Sequence, residues 1–123
     1  MKIIIAGAGE VGSHLAKMLS NENHDIVVID PEDDRLRSVD ASMDIMTVTG
    51  SATSIEILKE ANIKWTDLFI AVAHSEDTNI TAAILGKKLG AKTTIARIDN
   101  PEYLYTFPQG SFCYHGYRLP VLS

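Results

Sequence analysis

Cysteine is nearly absent: Cys113 is the only one in 123 residues. A lone thiol forms no internal disulfide and no cysteine metal site, in agreement with a reducing compartment. Long apolar runs are missing as well. The longest match buried strands rather than the roughly 20 residues of a membrane-spanning helix, so no direct membrane insertion is expected and any membrane link runs through a partner. Basic residues are the minority, 11 against 16 acids for a net charge of −5. That sign is wrong for a nonspecific nucleic-acid surface. Met1 stands one residue before the first apolar run, so no charged leader or signal segment is expected, and the cytoplasm is the default compartment.

What is present suits one ordinary globular domain, 46% hydrophobic and 22% charged, large enough for a real core but not for two. Lys2-Ile3-Ile4-Ile5-Ala6 and Asp25-Ile26-Val27-Val28-Ile29-Asp30 are continuously apolar and β-branched. Such runs belong to parallel strands buried on both faces. Between them, Val11, Leu15, Met18 and Leu19 recur at helical spacing over Glu10 to Ser20. Pro31 followed by Glu32, Asp33 and Asp34 opens a second helix. A weaker strand spans Asp44 to Val48, and a short helix through Ile55, Leu58 and Ala61 stops near Asn62. Leu68 to Ala73 is a fourth strand; Ser75 caps a helix that carries Ile80, Ala83, Ile84 and Leu85 inward and ends at Gly90. Thr93 to Ile98 is the fifth strand. Strand and helix thus alternate, which predicts an α/β fold of the Rossmann-like, doubly wound kind. Its parallel sheet should run in the order 3-2-1-4-5 with helices on both faces.

Gly7-Ala8-Gly9-Glu10-Val11-Gly12 is a GxGxxG motif set between the first strand and the first helix. Gly7 permits the tight turn, Gly9 lets a pyrophosphate approach the backbone, and Gly12 lets helix and strand pack closely. The free amides of the helix start then face phosphate. Taken singly, such a turn can also be a tight corner and nothing more. Asp30 ends the second strand 18 residues after Gly12, placed to accept hydrogen bonds from an adenosine ribose; a helix cap ahead of Pro31 is its bland alternative. The winding reverses between strands one and four, so the loop after Ala73 faces the glycine loop across a crevice.

Charge then sorts the ligands. Asp30, Glu32, Asp33 and Asp34 crowd the place of a 2′-phosphate, and like charges about 4 Å apart cost about 4 kcal/mol at an effective dielectric near 20. NADP is therefore disfavoured, Arg35 being expected to pair with its acidic neighbours. NAD or NADH, with ADP and ATP as alternatives, fit. No histidine of His14, His24, His74 and His115 stands in a metal or catalytic cluster. A dehydrogenase also needs a substrate domain for which there is no room. A binding domain without catalysis is expected; the cofactor half of an NAD-dependent oxidoreductase is the rival.

Gly7 to Gly12, Val28-Ile29-Asp30, Gly50-Ser51-Ala52-Thr53, Ala73-His74-Ser75-Glu76-Asp77-Thr78-Asn79 and Ile95-Ala96-Arg97 together resemble the TrkA N-terminal domain of the RCK/KTN potassium-transport regulators. The resemblance covers about residues 1 to 105. It implies a regulatory subunit that forms a homodimer or larger ring, docks on a Trk-type membrane potassium transporter from the cytoplasmic side, and changes gating with the nucleotide bound. It also implies a site of Gly7, Ala8, Gly9, Glu10, Val11 and Gly12 on the phosphates, with Asp30, Pro31 and Arg35 beside the ribose. Gly50, Ser51 and Ala52 would lie near the adenosine, Ser51 replacing the family's acid and reading equally well as a helix cap. Ala73, His74, Ser75 and Asn79 would cross the crevice, with Glu76 and Asp77 read equally as a helix start. Arg97 would reach phosphate or a neighbouring subunit, or make a surface ion pair. After Tyr105 the likeness stops. Residues 106–123 hold aromatics interleaved with Pro108, Gly110, Gly116 and Pro120, without a helix or strand period. An irregular tail left by truncation, an altered reading frame or a cloning scar is expected there.

Overall fold

In the computed structural model, residues 1–40, 45–100, 102, 111–114 and 121–122 are described. Five strands form in the expected places: β1 (Lys2–Ala6), β2 (Asp25–Asp30), β3 (Met46–Thr49), β4 (Leu68–Ala71) and β5 (Thr93–Arg97). They pair in parallel in the order β3-β2-β1-β4-β5. Alternate residues of each central strand feed opposite faces. Ile3, Ile5, Ile26 and Val28 meet Ala16, Leu36 and Val39 of helices α1 (Glu10–Ser20) and α2 (Asp33–Asp40). Ile4, Ala6, Val27, Ile29 and Phe69 meet Leu58 and Ala82 of α3 (Ile55–Glu60) and α4 (Glu76–Leu89). Each fully buried isoleucine contributes roughly 1.5–3 kcal/mol, so the sheet is held from both sides.

Several expectations about helix faces fail. Met18 is 53% exposed and Ile55 47%. At 100° per residue Met18 lies at the margin beside Val11, while the buried line of α1 runs through Gly12 and Ala16. On α4 the buried residues are Asn79, Ala82, Ala83 and Gly86; of the larger side chains expected inward, half-buried Leu85 packs against the core, while Ile80 and Ile84 lie at the margins. Small side chains let this helix lie close on β4, and a Cβ on Gly86 would stand 2.5 Å from the Phe69 ring.

The end of the chain also differs from expectation. Ser111–Tyr114 pairs with β5 in parallel as β6, and Val121–Leu122 pairs antiparallel with it as β7. Strands of four and two residues are too short for alternation to show among interspersed aromatics, which is why no period appears there. The rest of the expected tail, with Asp44 and His115, lies outside the described residues. At the opposite end of the sheet, Lys2 N donates to Asp67 Oδ2 at 2.9 Å and Lys92 Nζ sits 3.0 Å from Oδ1. The backbone hydrogen bond from Lys2, then the Lys92 side chain, hold the Asp67 carboxyl below its usual value of 3.8.

Candidate functional site

The carboxyl ends of β1, β2, β4 and β5 surround a cavity of about 590 Å³, within the range of small-molecule sites. Its floor is the glycine loop. Gly7 turns at φ +113°, and a Cβ there would press on the Ala73 backbone 2.8 Å away. Gly12 is equally constrained, since its Cβ would fall 1.7 Å from the Gly7 carbonyl oxygen. Gly9 is different. A Cβ on it would meet nothing within 4 Å, and its φ of −74° suits any residue. Protein packing therefore asks nothing of Gly9; the space above it is open to a ligand.

Helix α1 begins at this spot. Ser54 caps α3 and Ser75 caps α4, each accepting an amide hydrogen bond, whereas the N-cap of α1 is Gly9, with no side-chain cap. Its first-turn amides are orphans, backed by the positive end of the helix dipole. An anion placed there would satisfy them.

Asp30 is 2% exposed and serves both edges of the loop. Ala8 N donates to its Oδ2 and Glu32 N to its Oδ1, both at 2.8 Å. Arg35 Nη1 lies 3.7 Å from the same Oδ2, and Arg35 Nε lies 3.2 Å from Glu32. The carboxylate thus fastens the glycine loop to β2 while Asp30 itself lines the cavity. Both readings of Asp30 meet in one residue, because it caps the turn and lines the site.

Of the residues expected at the site, Gly7, Gly9, Glu10, Val11, Asp30, Pro31, Arg35, Ser51, Ala52, Ala73, His74 and Arg97 line the cavity. Ala8, Gly12, Gly50, Ser75 and Asn79 do not. Ala8 gives its amide to Asp30, and Gly12 is a packing glycine. Gly50 donates its amide to the Asp30 carbonyl, which locks β3 against β2. Ser75 is the α4 cap. The cap of α3 is Ser54 and not Ser51, whose hydroxyl meets Thr53. Asn79, 1% exposed, accepts from Ala73 N at 2.7 Å and donates to the carbonyls of Ala73 and Arg97 at 2.9 and 3.1 Å. It holds together the strand ends that carry two lining residues. Glu76 plays a similar part by accepting the amides of Asp99 and Asn100. Arg97 Nε stands 3.9 Å from Asp99, a loose pair that leaves it facing the cavity. Thr78, Ala6, Ile29 and Val72 line the cavity without having been expected to. Thr78 lies in the first turn of α4, just after its cap Ser75, and was findable from the expected start of that helix; the other three are strand ends whose apolar character reads as core.

The TrkA-N domain family matches residues 3–111. The chain belongs to that family. Among relatives, a "Trk system potassium uptake protein TrkA homolog" of Archaeoglobus fulgidus is 39% identical over 104 residues, covering 85% of this chain and 23% of the relative. A "Trk system potassium uptake protein TrkA" of Halomonas elongata is 37% identical over 123 residues, 99% of this chain and 26% of the relative. That alignment reaches into the tail, beyond the span of about 1–105 expected from sequence. This TrkA-N chain spans about a quarter of the length of these relatives. Among solved structures, a GsuK channel bound to NAD superposes with a TM-score of 0.73 at 22% identity, over 83% of this chain and 18% of that one. That likeness shows the TrkA-N fold of the chain to be the Rossmann-like one.

Proposed function

We propose that this TrkA-N domain binds NAD or NADH, with ADP and ATP as the alternatives, as part of a regulator rather than an enzyme. The observation that carries the reading is the uncapped start of α1, opening into a cavity beside Asp30 with free space above Gly9. Phosphates would lie on the first-turn amides and the adenosine ribose against Asp30, with Arg97 and His74 across the crevice. NADP is disfavoured on charge. Its 2′-phosphate would approach Asp30 and Glu32, and the guanidinium available to answer it, Arg35, is already engaged by both.

The relatives' names speak of the Trk potassium uptake system; in this reading the regulated partner would be a Trk-type membrane potassium transporter subunit, met at the inner face of the cell membrane by a cytoplasmic homodimer or larger ring. No helix among the described residues is long and apolar enough to cross a membrane. Nucleotide bridging the glycine loop and the loop after β4 would favour one orientation of neighbouring domains, and that difference in affinity would drive the transporter.

A thermal-shift panel tests the reading. At 100 times its dissociation constant a ligand adds about 2.7 kcal/mol of stability, so NAD or NADH should raise Tm by several degrees and NADP by much less. A larger shift with NADP, or none with any of NAD, NADH, ADP and ATP, would overturn it.

A further inference from the structure

We propose that Glu10 decides which adenine nucleotide this cavity takes, favouring dinucleotides over a triphosphate; the inference rests on the nucleotide reading above and deepens it. The ionisable residues lining the cavity are Glu10, Asp30, Arg35, His74 and Arg97. Asp30 is occupied by two backbone amides and Arg35, and Arg35 is shared with Glu32. Arg97 has Asp99 beside it. Glu10 alone among the acids of the wall is exposed and has no hydrogen bond or ion pair with any described residue.

Its position makes that charge matter. Glu10 is the first residue of α1, between Gly9 and Val11 of the same wall, so it brings a negative charge to the helix end whose amides phosphate would use. Every phosphate charge bound there is opposed by it. A dinucleotide esterifies both ends of its pyrophosphate, and an oxidised nicotinamide adds a positive ring. ATP ends instead in a free phosphate that carries about −1.5 to −2 at neutral pH. The orphan amides and the helix dipole draw both ligands, the more charged one more strongly; Glu10 opposes that gain, because it repels the free terminal phosphate of ATP more than the esterified pyrophosphate. An acid in the first turn of α1 also suits the positive end of the helix dipole, and a bound phosphate competes with it for that same field.

Calorimetric titration of NAD and ATP into the wild type, Glu10→Gln and Glu10→Lys decides the matter. Removing the charge should tighten ATP about threefold to tenfold and NAD less than twofold; reversing it should widen the gap further. The gain for ATP should fade in 0.5 M NaCl, where the Debye length falls to about 4 Å. Equal changes for the two ligands, no change for ATP, or a gain that persists in high salt would overturn the role of Glu10 while leaving the nucleotide site standing. A wild type that gives no heat with either ligand would overturn both.

Discussion

Gly12→Ala is expected to lower stability by about 3 kcal/mol or more, the upper range for overpacking a closed interior. The added methyl would stand 1.7 Å from the Gly7 carbonyl oxygen and 2.8 Å from its carbon. Neither atom can yield, because Gly7 N is tied to the Ile29 carbonyl at 2.8 Å and the Gly7 turn is pinned against the Ala73 backbone. Relief would require α1 to lift off β1, opening the contacts of Ala16 with the core. Denaturant titration should show the loss, with a fall in Tm of roughly 10–20 °C for a domain of this size. Gly9→Ala should leave the denaturation midpoint nearly unchanged, since its methyl meets nothing. A Gly12→Ala protein as stable as the wild type would mean that helix and strand do not approach as described.

Asp30→Ala should weaken NAD about tenfold to a hundredfold, the weight of one or two hydrogen bonds to a charged acceptor. Its cost in stability should be of similar size, about 1–3 kcal/mol, because the Ala8 and Glu32 amides lose their acceptor and Ala8 is only 4% exposed. Two effects add in the affinity: the ribose loses its acceptor, and the glycine loop loses its anchor to β2. Calorimetry beside denaturation separates them. A lower midpoint with unchanged NAD affinity would reduce Asp30 to a structural clasp.

Much of the fold is legible in the sequence for a simple reason. β1 and β2 are buried on both faces, so apolar residues run unbroken and nothing masks them. The glycine motif is legible because two of its glycines are sterically forced and the third is left for a ligand. Legibility fails where burial is carried by small or polar side chains. The inner face of α4 is Asn79, Ala82, Ala83 and Gly86, so hydropathy points instead to its isoleucines, which are half-buried at the margins. Asn79 reads as a binding residue through the resemblance of its loop to the family's. In three dimensions its hydrogen-bonding groups are spent on Ala73 and Arg97, an arrangement set by the spacing of β4 and β5 that no local pattern carries. The same holds for the double use of Asp30, which depends on Ala8 approaching from the glycine loop after β1.

The central claim is that phosphate settles on the first-turn amides of α1. Following backbone amide resonances through an NAD titration tests it most directly. The amides of Gly9, Glu10 and Val11 should shift most, together with Ala73 and His74 across the cavity, while Asp67 and Lys92 at the far end of the sheet stay still. Saturating NAD that leaves the glycine-loop amides unmoved, or that moves only residues remote from the cavity, would contradict it.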